Sequence, residues 1–271
     1  MTAKFPNPAW LVGCGNMAGA MVEGWRAGGL DLSNVTVIRP SGNPVEGVRT
    51  VTDYPEAAPR FVMLGFKPQK LDEVAPELSG HVGPDCDLVS MLAGVSAATL
   101  RERFPNARAI VRVMPNLPVA QVQGMTAIYS ADGGQEQLAH IRQLMASLGM
   151  ILWCESEEAL GVIGAIASAG IAYVARFAAA LAKSGERLGM KPGTAEQVAI
   201  QTLVGTAAYA ADSGASMQEV ARRVASPKGT TEQGLAVLDG SDGLQQLVDR
   251  TIEAAVGRSK ELASEAASRR N

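Results

Sequence analysis

Hydrophobic residues follow two different patterns on either side of residue 156. Before it, short apolar runs alternate with stretches of helical periodicity, as in strands that are each followed by a helix. The predicted strands are Ala9–Val12, Val35–Arg39, Phe61–Phe66, Leu88–Leu92, Ile110–Met114, Ala127–Tyr129 and Met150–Cys154. Helices are expected to begin near Asn16, Gln69 and Ser96, and another covers 135–148. This alternation predicts an α/β domain over residues 1–156 with a doubly wound parallel sheet, which binds ligands at the carboxyl ends of its strands.

After residue 156 the pattern is helical only, which predicts an all-helical second domain over residues 157–271. The periodicity is interrupted at Gly185–Pro192, Asp212–Ser216, Ser226–Thr231 and Asp239–Gly243. The run Ala159–Ala175 carries no charge, but it is rich in Ala, Gly and Ser, and Arg176 follows it. We therefore expect a closely packed helix in a soluble core or a dimer interface, and no membrane insertion.

A glycine turn stands between the first predicted strand and the first predicted helix. Its sequence is Gly13-Cys14-Gly15-Asn16-Met17-Ala18. Gly13 would permit a tight turn, Gly15 has no Cβ to block a phosphate, and Ala18 is small enough for close helix packing. Because a helix N-terminus offers free N–H groups and a positive dipole end, the turn suits a dinucleotide pyrophosphate. The alternative is a glycine turn in an α/β protein of another kind.

The end of the second predicted strand bears on which dinucleotide is bound. In the NAD form of this arrangement, an acidic residue about 20 residues past the glycines holds the ribose 2′-hydroxyl. Here the strand ends in Arg39-Pro40-Ser41, and an arginine beside a hydroxyl suits a 2′-phosphate. We therefore predict NADPH as the cofactor, with NADH as the alternative. The competing interpretation is that Arg39 is simply solvated.

Loops after later predicted strands are suited to hold the rest of the cofactor. They contain Phe66-Lys67-Pro68, Ala93-Gly94 and Pro115-Asn116. Proline fixes its own φ and pushes its predecessor into extended geometry, which stiffens a chain that flanks a flat ring. Asn116 offers both a donor and an acceptor to a carboxamide. Together these loops favour a nicotinamide channel over a set of unrelated turns.

The helical part contains a candidate anion site. The segment Ser226-Pro227-Lys228-Gly229-Thr230-Thr231-Glu232-Gln233 is typical of a helix start with a Ser or Thr cap. Its free N–H groups, its hydroxyls and the Lys228 ammonium would form a carboxylate receptor. The alternative is a plain capping loop.

Composition and charge exclude several other kinds of chemistry. The net charge of −3 argues against nucleic acid as a partner, and Cys14, Cys86 and Cys154 are widely spaced, as in a reducing cytosol. A secretory signal pattern is absent from the first residues, so a cytoplasmic location is expected. His81 and His140 are expected to be solvated, and no residues have metal-ligand spacing, so no metal is expected. The dinucleotide would then carry the reaction, by hydride transfer.

Several of these motifs, taken in order, resemble those of pyrroline-5-carboxylate reductases. They are Gly13-x-Gly-Asn-Met-Ala, Lys67-Pro-Gln, Ser90-Met-Leu-Ala-Gly-Val-Ser, Arg112-Val-Met-Pro-Asn-Leu-Pro and Ser226-Pro-Lys-Gly-Thr-Thr. The resemblance implies an N-terminal Rossmann domain and a C-terminal helical domain that interlocks with a second subunit, as a homodimer or higher homo-oligomer. It also implies reduction of the cyclic imine 1-pyrroline-5-carboxylate to L-proline with NAD(P)H, the last step of proline biosynthesis.

The resemblance further implies roles for individual residues. Gly13, Gly15, Asn16 and Met17 would contact the pyrophosphate, and Arg39 and Ser41 the 2′-phosphate. The remaining cofactor contacts would come from Phe66, Lys67, Pro68, Ala93, Gly94, Pro115 and Asn116. The substrate imino acid would be held by Ser226, Lys228, Gly229, Thr230 and Thr231. Ser226 and Thr231 would be the catalytic residues, with the Thr231 hydroxyl near the ring nitrogen.

Two departures from that family's pattern bear on the substrate. The family commonly has Gly-Ser-Gly-Pro-Ala-Tyr where this chain has Ser168-Ala169-Gly170-Ile171-Ala172-Tyr173, and loss of the proline predicts a straighter helix. Lys228 stands where a glycine is usual, so it constrains the backbone and adds a charge that can pair with a carboxylate.

These departures leave open a reductase of another cyclic imino acid. A further alternative, of a different class, is a non-catalytic NADP-binding regulatory protein, although Thr231 and Asn116 argue against it. A 3-hydroxyacid dehydrogenase is disfavoured, because such enzymes need an acid/base lysine on the first helix between the domains, and the run to Ala175 contains none.

Overall fold

The first part of the chain forms one sheet with helices on both faces. The computed structural model describes residues 3–268. Its strands are β1 (Ala9–Val12), β2 (Val35–Ile38), β3 (Arg49–Val51), β4 (Phe61–Leu64), β5 (Asp87–Ser90), β6 (Ala109–Pro115), β7 (Gly124–Ser130) and β8 (Gly149–Trp153). They lie in the order β3-β2-β1-β4-β5-β6-β7-β8. The helices of this part are α1 (Asn16–Ala27), α2 (Leu71–Leu78), α3 (Ala97–Arg103) and α4 (Ala139–Ala146), with 3₁₀ turns at Pro68–Lys70 and Leu117–Gln121.

The predicted doubly wound sheet is confirmed, with one correction to its strand directions. β6 and β7 are antiparallel, whereas the other neighbouring pairs are parallel. The prediction of a wholly parallel sheet is therefore wrong at this pair. Only the short segment 116–123 joins β6 to β7, and a parallel connection needs a crossover of roughly a dozen residues or more.

The sequence patterns missed β3, which has three residues and a partly exposed burial pattern. It pairs in parallel with β2, and the N–H of Arg39 donates to the carbonyl of Val51 at 3.0 Å. β3 therefore holds the end of β2, where the predicted 2′-phosphate residues begin.

The two faces of the sheet are buried in separate hydrophobic clusters. Leu11 and Met63 lie in the cluster that contains α1, while Trp10 and Val62, one position earlier on the same strands, lie in the cluster on the opposite side. Such alternation follows from the period of two in a strand. Hydrogen bonds of the ladder continue past the carboxyl ends, from Gly13 N to Ile38 O at 2.8 Å and from Gly65 N to Val12 O at 2.9 Å. The loops that leave β1, β2 and β4 are therefore held side by side.

Residues after 156 are helical throughout the described range, as predicted. The helices are α5 (Glu157–Ala167), α6 (Gly170–Arg187), α7 (Pro192–Ser213), α8 (Met217–Val224), α9 (Thr230–Leu238) and α10 (Leu244–Ser268). Each predicted interruption coincides with a connection between two helices. One further break, at residues 168–169, separates α5 from α6 although the proline common in the family is missing there, and hydrogen bonds from the loop after β6 coincide with it.

Contacts between residues divide the described chain into two compact units. The first extends to Ser168 and includes the part of α10 from Val256, and the second covers Ala169–Ala255. The change from strand to helix falls at residue 156, as the sequence predicts, but α5 packs with the sheet. Its Leu160 is fully buried in a cluster with Ala127 of β7 and Cys154.

Candidate active site

The glycine turn after β1 has the geometry expected of it. Gly13 has φ +78°, a conformation that strains any residue with a side chain. A Cβ placed on Gly13 would lie 2.9 Å from Phe66 Cβ and 3.0 Å from Phe66 N. Ala18 is 1% exposed, and its Cβ lies 3.0 Å from the position that a Cβ on Gly65 would take. Small residues at these positions therefore let the loops after β1 and β4 meet over the start of α1.

The start of α1 is open, unlike the turn beneath it. Gly15 is the N-cap residue in extended conformation, and the nearest atom to a Cβ built there is Gly65 O, at 3.9 Å. The N–H groups in the first turn of a helix have no intrahelical acceptor, and α1 has no acidic side chain there. The open space and the unused donors fit an anionic group such as a pyrophosphate.

A cavity of about 660 Å³ lies beside this turn. Its lining includes Gly15, Asn16 and Arg39 from the predicted cofactor residues, together with Cys14, other positions of α1 and the 3₁₀ turn Leu117–Gln121. Within the described part of the chain, no carboxylate forms an ion pair with Arg39. Burial raises the pKa of the Cys14 thiol, and the nearby charge of Arg39 opposes that shift. The lining therefore contains the Arg39 cation beside the start of α1, and also the carboxylate of Glu23 further along that helix.

Other predicted cofactor residues do not line this cavity. The side chain of Met17 packs against the hydrophobic cluster around α1. Ser41 is exposed, and its Oγ accepts a hydrogen bond from Asn43 N at 3.4 Å. Phe66 is half-buried against the opposite cluster, while Lys67 is exposed and caps the 3₁₀ turn that begins at Pro68.

The loops after β5 and β6 lie at the same edge of the sheet, because β4, β5 and β6 are parallel neighbours. Gly94 has φ +73° in a turn closed by Val95 N donating to Leu92 O, and Ala93 is exposed in that turn. Pro115 is buried as the last residue of β6. These loops could therefore contact a cofactor mainly through their backbone N–H and C=O groups, because Ala93, Gly94 and Pro115 have no polar side chains.

The amide of Asn116 makes two hydrogen bonds within the protein that its expected cofactor role does not include. Its side chain is 9% exposed; Nδ2 donates to Ala167 O at 3.0 Å, and Oδ1 accepts from Met125 N at 2.8 Å. Both ends of the amide are thus engaged within the protein, each by one bond, so Asn116 has a structural role whether or not it also contacts a carboxamide. Sequence reasoning missed this because both partners are distant in the chain.

Glu157 connects the start of α3 to the sheet, which the sequence also failed to indicate. Its Oε1 accepts from the N–H of Ala97 at 2.7 Å and from Arg112 Nη1 at 3.0 Å. Ala97 is the first residue of α3, directly after the loop that contains Ala93 and Gly94. A carboxylate from α5 therefore fixes the far end of that loop.

In the second unit, the segment that begins at Ser226 forms the start of α9. The expected Ser or Thr cap is wrong, because the N-cap is Gly229 and no side chain caps it. Instead, Gly229 N donates to Ser226 O at 2.9 Å, and Lys228 N donates to Glu232 Oε2 at 2.7 Å. The N–H groups of the first turn of α9 stay available to an anion.

Lys228 adopts φ +58°, the left-handed conformation that glycine adopts without strain. A glycine is usual at this position in the family, and the left-handed φ explains why a lysine there constrains the backbone. A Cβ on the next residue, Gly229, would lie 2.9 Å from Ser226 O, so this glycine is required by close approach. Thr230 and Thr231 are exposed at the helix start.

Neither histidine is solvated as expected. His81 is half-buried, with its ring 5.4 Å from that of Trp10 and 5.1 Å from that of Tyr54. Burial, assisted by the charge of Glu77, raises the pKa of Tyr54 to about 12. His140 bonds to the buried carboxylate of Asp87 at the first position of β5, the strand end opposite to the predicted site. Among the described residues, no group of three or more His, Cys, Asp or Glu could hold a metal ion.

Comparison with known proteins finds relatives that match nearly the whole chain, and they belong to the family that the sequence motifs resemble. Residues 157–262 match the sequence model of the pyrroline-5-carboxylate reductase dimerisation domain. The chain is 32% identical to a pyrroline-5-carboxylate reductase of Pseudomonas aeruginosa, over 94% of this chain and 96% of that protein. It is 34% identical to one from Synechocystis, over 79% of this chain and 80% of the relative.

Solved structures agree on the fold. A pyrroline-5-carboxylate reductase from Coxiella burnetii superposes with a TM-score of 0.86 and 30% identity, covering 95% of this chain and 99% of that one. One from Plasmodium falciparum, with NADP bound, gives a TM-score of 0.83 at 22% identity, covering 97% and 100% of the two chains. The chain therefore belongs to the pyrroline-5-carboxylate reductase family.

Proposed function

We propose that this protein reduces 1-pyrroline-5-carboxylate to L-proline with NADPH. The observation that carries the proposal is the open start of α1 beside Arg39, in a chain that is 32% identical over nearly its whole length to a reductase of that name. That relative and the Plasmodium protein with NADP bound support the activity and the cofactor. When bound, NADPH supplies a hydride to the carbon of the C=N bond.

The residues that follow β1 and β2 fit a phosphorylated dinucleotide. We assign the pyrophosphate to the first-turn N–H groups of α1, reached over the bare Cα of Gly15. The 2′-phosphate is assigned to Arg39, whose backbone β3 holds in place and whose guanidinium forms no hydrogen bond or ion pair with a described residue. The loops at Ala93–Gly94 and Pro115–Asn116 are assigned to the nicotinamide side.

Replacing Arg39 with methionine is expected to raise the KM for NADPH by about 10- to 100-fold, since a hydrogen bond to a charged group contributes about 1.5–3 kcal/mol. The KM for NADH should change by less than about twofold, because NADH lacks the 2′-phosphate. Steady-state kinetics with both cofactors measure the effect, and the exposed Arg60→Met is the control. An equal loss for NADH and NADPH would remove Arg39 from the phosphate site.

For the substrate, we assign the carboxylate to the start of α9, with Ser226, Lys228, Gly229 and Thr230 around it. The Thr231 hydroxyl is assigned to the ring nitrogen. None of these residues is a strong general acid, and a threonine hydroxyl is a poor proton source. The substrate should therefore react as its protonated iminium, so that addition of hydride to carbon leaves a neutral secondary amine. The protein then contributes mainly by orienting the reactants.

Thr231→Ala is expected to lower kcat by about 10- to 100-fold, while the Kd for NADPH stays within about twofold of the wild-type value. Thr231→Ser keeps the hydroxyl and should retain most of the activity. Rapid-mixing kinetics together with cofactor titration separate the two quantities. Wild-type turnover in the alanine variant would exclude the assigned role.

The proposal is tested by following NADPH oxidation with 1-pyrroline-5-carboxylate and with its six-membered homologue. Oxidation of 3-hydroxy acids is assayed separately, as reduction of NADP⁺ to NADPH. We expect the five-membered imine to give the highest kcat/KM. Preference for the six-membered ring would instead favour the reductase of another cyclic imino acid, which the unusual Lys228 also suits. Cofactor binding without turnover of any substrate would favour a regulatory protein.

We also propose that the protein is a cytoplasmic homodimer or higher homo-oligomer. The three cysteines are all free thiols, as a reducing compartment requires. In the described chain, residues Glu157–Arg187 are long and apolar enough to cross a membrane by length and composition. They lie within the segment that matches the dimerisation domain, and Val174 and Leu181 on α6 are exposed in the single chain. We therefore assign this apolar surface to a second subunit and not to lipid.

A further inference from the structure

The break between α5 and α6 coincides with hydrogen bonds from the loop after β6. α5 ends at Ala167, whose carbonyl accepts from Asn116 Nδ2 at 3.0 Å. The next residue, Ser168, donates from its Oγ to the carbonyl of Pro115 at 3.1 Å. The loop that we assign to the nicotinamide side therefore contacts the chain at the point where the helix is interrupted.

The local sequence does not itself require a break at this point. Ser168 and Ala169 have φ and ψ in the right-handed helical region, −89°, −53° and −73°, −29°. Alanine is the strongest helix former, and proline is absent from this segment. In a continuous helix the carbonyl of Ala167 would accept from the N–H of Ile171, four residues later. The amide of Asn116 takes that carbonyl instead.

The orientation of the Asn116 amide is fixed by its other partner. Met125 N can only donate, so the atom that faces it at 2.8 Å must be Oδ1. Nδ2 is then directed at Ala167 O, and the side chain is 9% exposed. Because β7 supplies Met125, the sheet itself holds the donor in place.

We propose that Asn116 is a positioning residue that keeps the helix interrupted at Ala167. It competes with the Ile171 N–H for one carbonyl, and so sets the loop at Pro115–Asn116 and the end of α5 together. The link to catalysis rests on the proposed function, since that loop is assigned to the nicotinamide side. The hydrogen-bond competition itself does not depend on the activity.

Amide hydrogen exchange of the wild-type protein gives the first test. The N–H of Ile171 lies in the first turn of α6, where it has no intrahelical acceptor, so it should exchange at least about tenfold faster than that of Val174. In Asn116→Asp the donor is lost but Met125 keeps its acceptor. Exchange at Ile171 should then slow, because its N–H can bond to Ala167. Protection of Ile171 in the wild type, or no slowing in the variant, overturns the proposal.

Activity provides the second test, through a rescue. Asn116→Asp should lower kcat by about tenfold, with the KM for NADPH changing by less than about threefold. Ile171→Pro alone should stay within about twofold of wild type, because proline is tolerated in the first turn of a helix. Since proline has no N–H to complete the helix, Asn116→Asp with Ile171→Pro should recover to within about threefold of wild type.

The outcomes separate this inference from the proposed function. A double variant no more active than Asn116→Asp contradicts a role through the helix break and indicates a purely local one. Should the wild-type enzyme fail to reduce the imino acid, the proposed function falls, while the exchange rates of Ile171 still decide whether Asn116 holds the break. Should Asn116→Asp not fold, wild-type exchange at Ile171 against Val174 remains decisive.

Discussion

Gly13→Ala is expected to abolish tight binding of NADPH and to lower the free energy of unfolding by about 3 kcal/mol. The added Cβ would lie 2.9 Å from Phe66 Cβ, 3.0 Å from Phe66 N and 3.1 Å from Gly65 C, at a residue with φ +78°. Two of these neighbours are backbone atoms, so the clash can be relieved only by moving the loop after β4. That movement would disturb the hydrogen bond from Gly65 N to Val12 O and the anion site at the first turn of α1.

Gly29→Ala is a matched control for the conformational part of this effect. Gly29 has φ +76°, but a Cβ built there meets nothing within 4 Å. It should therefore cost only about 1 kcal/mol and leave the Kd for NADPH unchanged. Urea unfolding and calorimetric NADPH titration of both variants give the comparison. If Gly13→Ala binds NADPH as tightly as Gly29→Ala does, the close approach at Gly13 has no role in the site.

The cofactor end of the fold could be predicted because its signal is local. β1, the glycine turn and the beginning of α1 are consecutive in the chain, and each residue's role follows from its own size or φ. The confirmed helical second part has the same origin, since helical periodicity and its interruptions are properties of short segments. The start of α9 was also found, although its cap turned out to be Gly229 and not a hydroxyl side chain.

What the sequence could not supply are the pairings between distant segments. The direction of β7 was missed for a different reason: the predicted strands leave 115–126 between them, long enough for a parallel crossover, whereas the actual connection 116–123 is too short for one. β3 was too short to give a period-two signal, although it fixes the backbone of Arg39. The two bonds of Asn116 go to residues 9 and 51 positions away, so the structural role of this side chain could not be predicted from its neighbours in the sequence.

Asp87 is the strongest case of a long-range partnership, and removing it is expected to cause the second large effect. Its carboxylate is 0% exposed and is held by Arg108 and His140, with Arg108 Nε donating to Oδ1 at 2.8 Å. Asp87→Asn should lower the free energy of unfolding at pH 7 by about 3 kcal/mol, because Arg108 loses its buried counter-charge. The exposed Asp85→Asn, two residues earlier, should cost less than about 0.5 kcal/mol.

The same carboxylate should make stability depend on pH in a defined direction. Burial by itself would raise the pKa of Asp87, but the hydrogen bonds from His140 and Arg108 outweigh it and hold this pKa below the ordinary value of 3.8. A carboxyl whose pKa is lower in the folded state stabilises that state above the pKa of the unfolded chain. This contribution is lost as the pH falls through the folded-state pKa.

Urea unfolding between pH 6 and pH 3 can therefore separate the ion pairs from simple packing. We expect the difference in unfolding free energy between wild type and Asp87→Asn to hold down to about pH 4 and to shrink below it, since protonated Asp87 is close to asparagine in charge. Asp85→Asn should show no such convergence. A difference that stays constant to pH 3 would mean that asparagine is destabilising through its shape or its donors. The charge of Asp87 would then contribute little to the stability of this edge of the sheet.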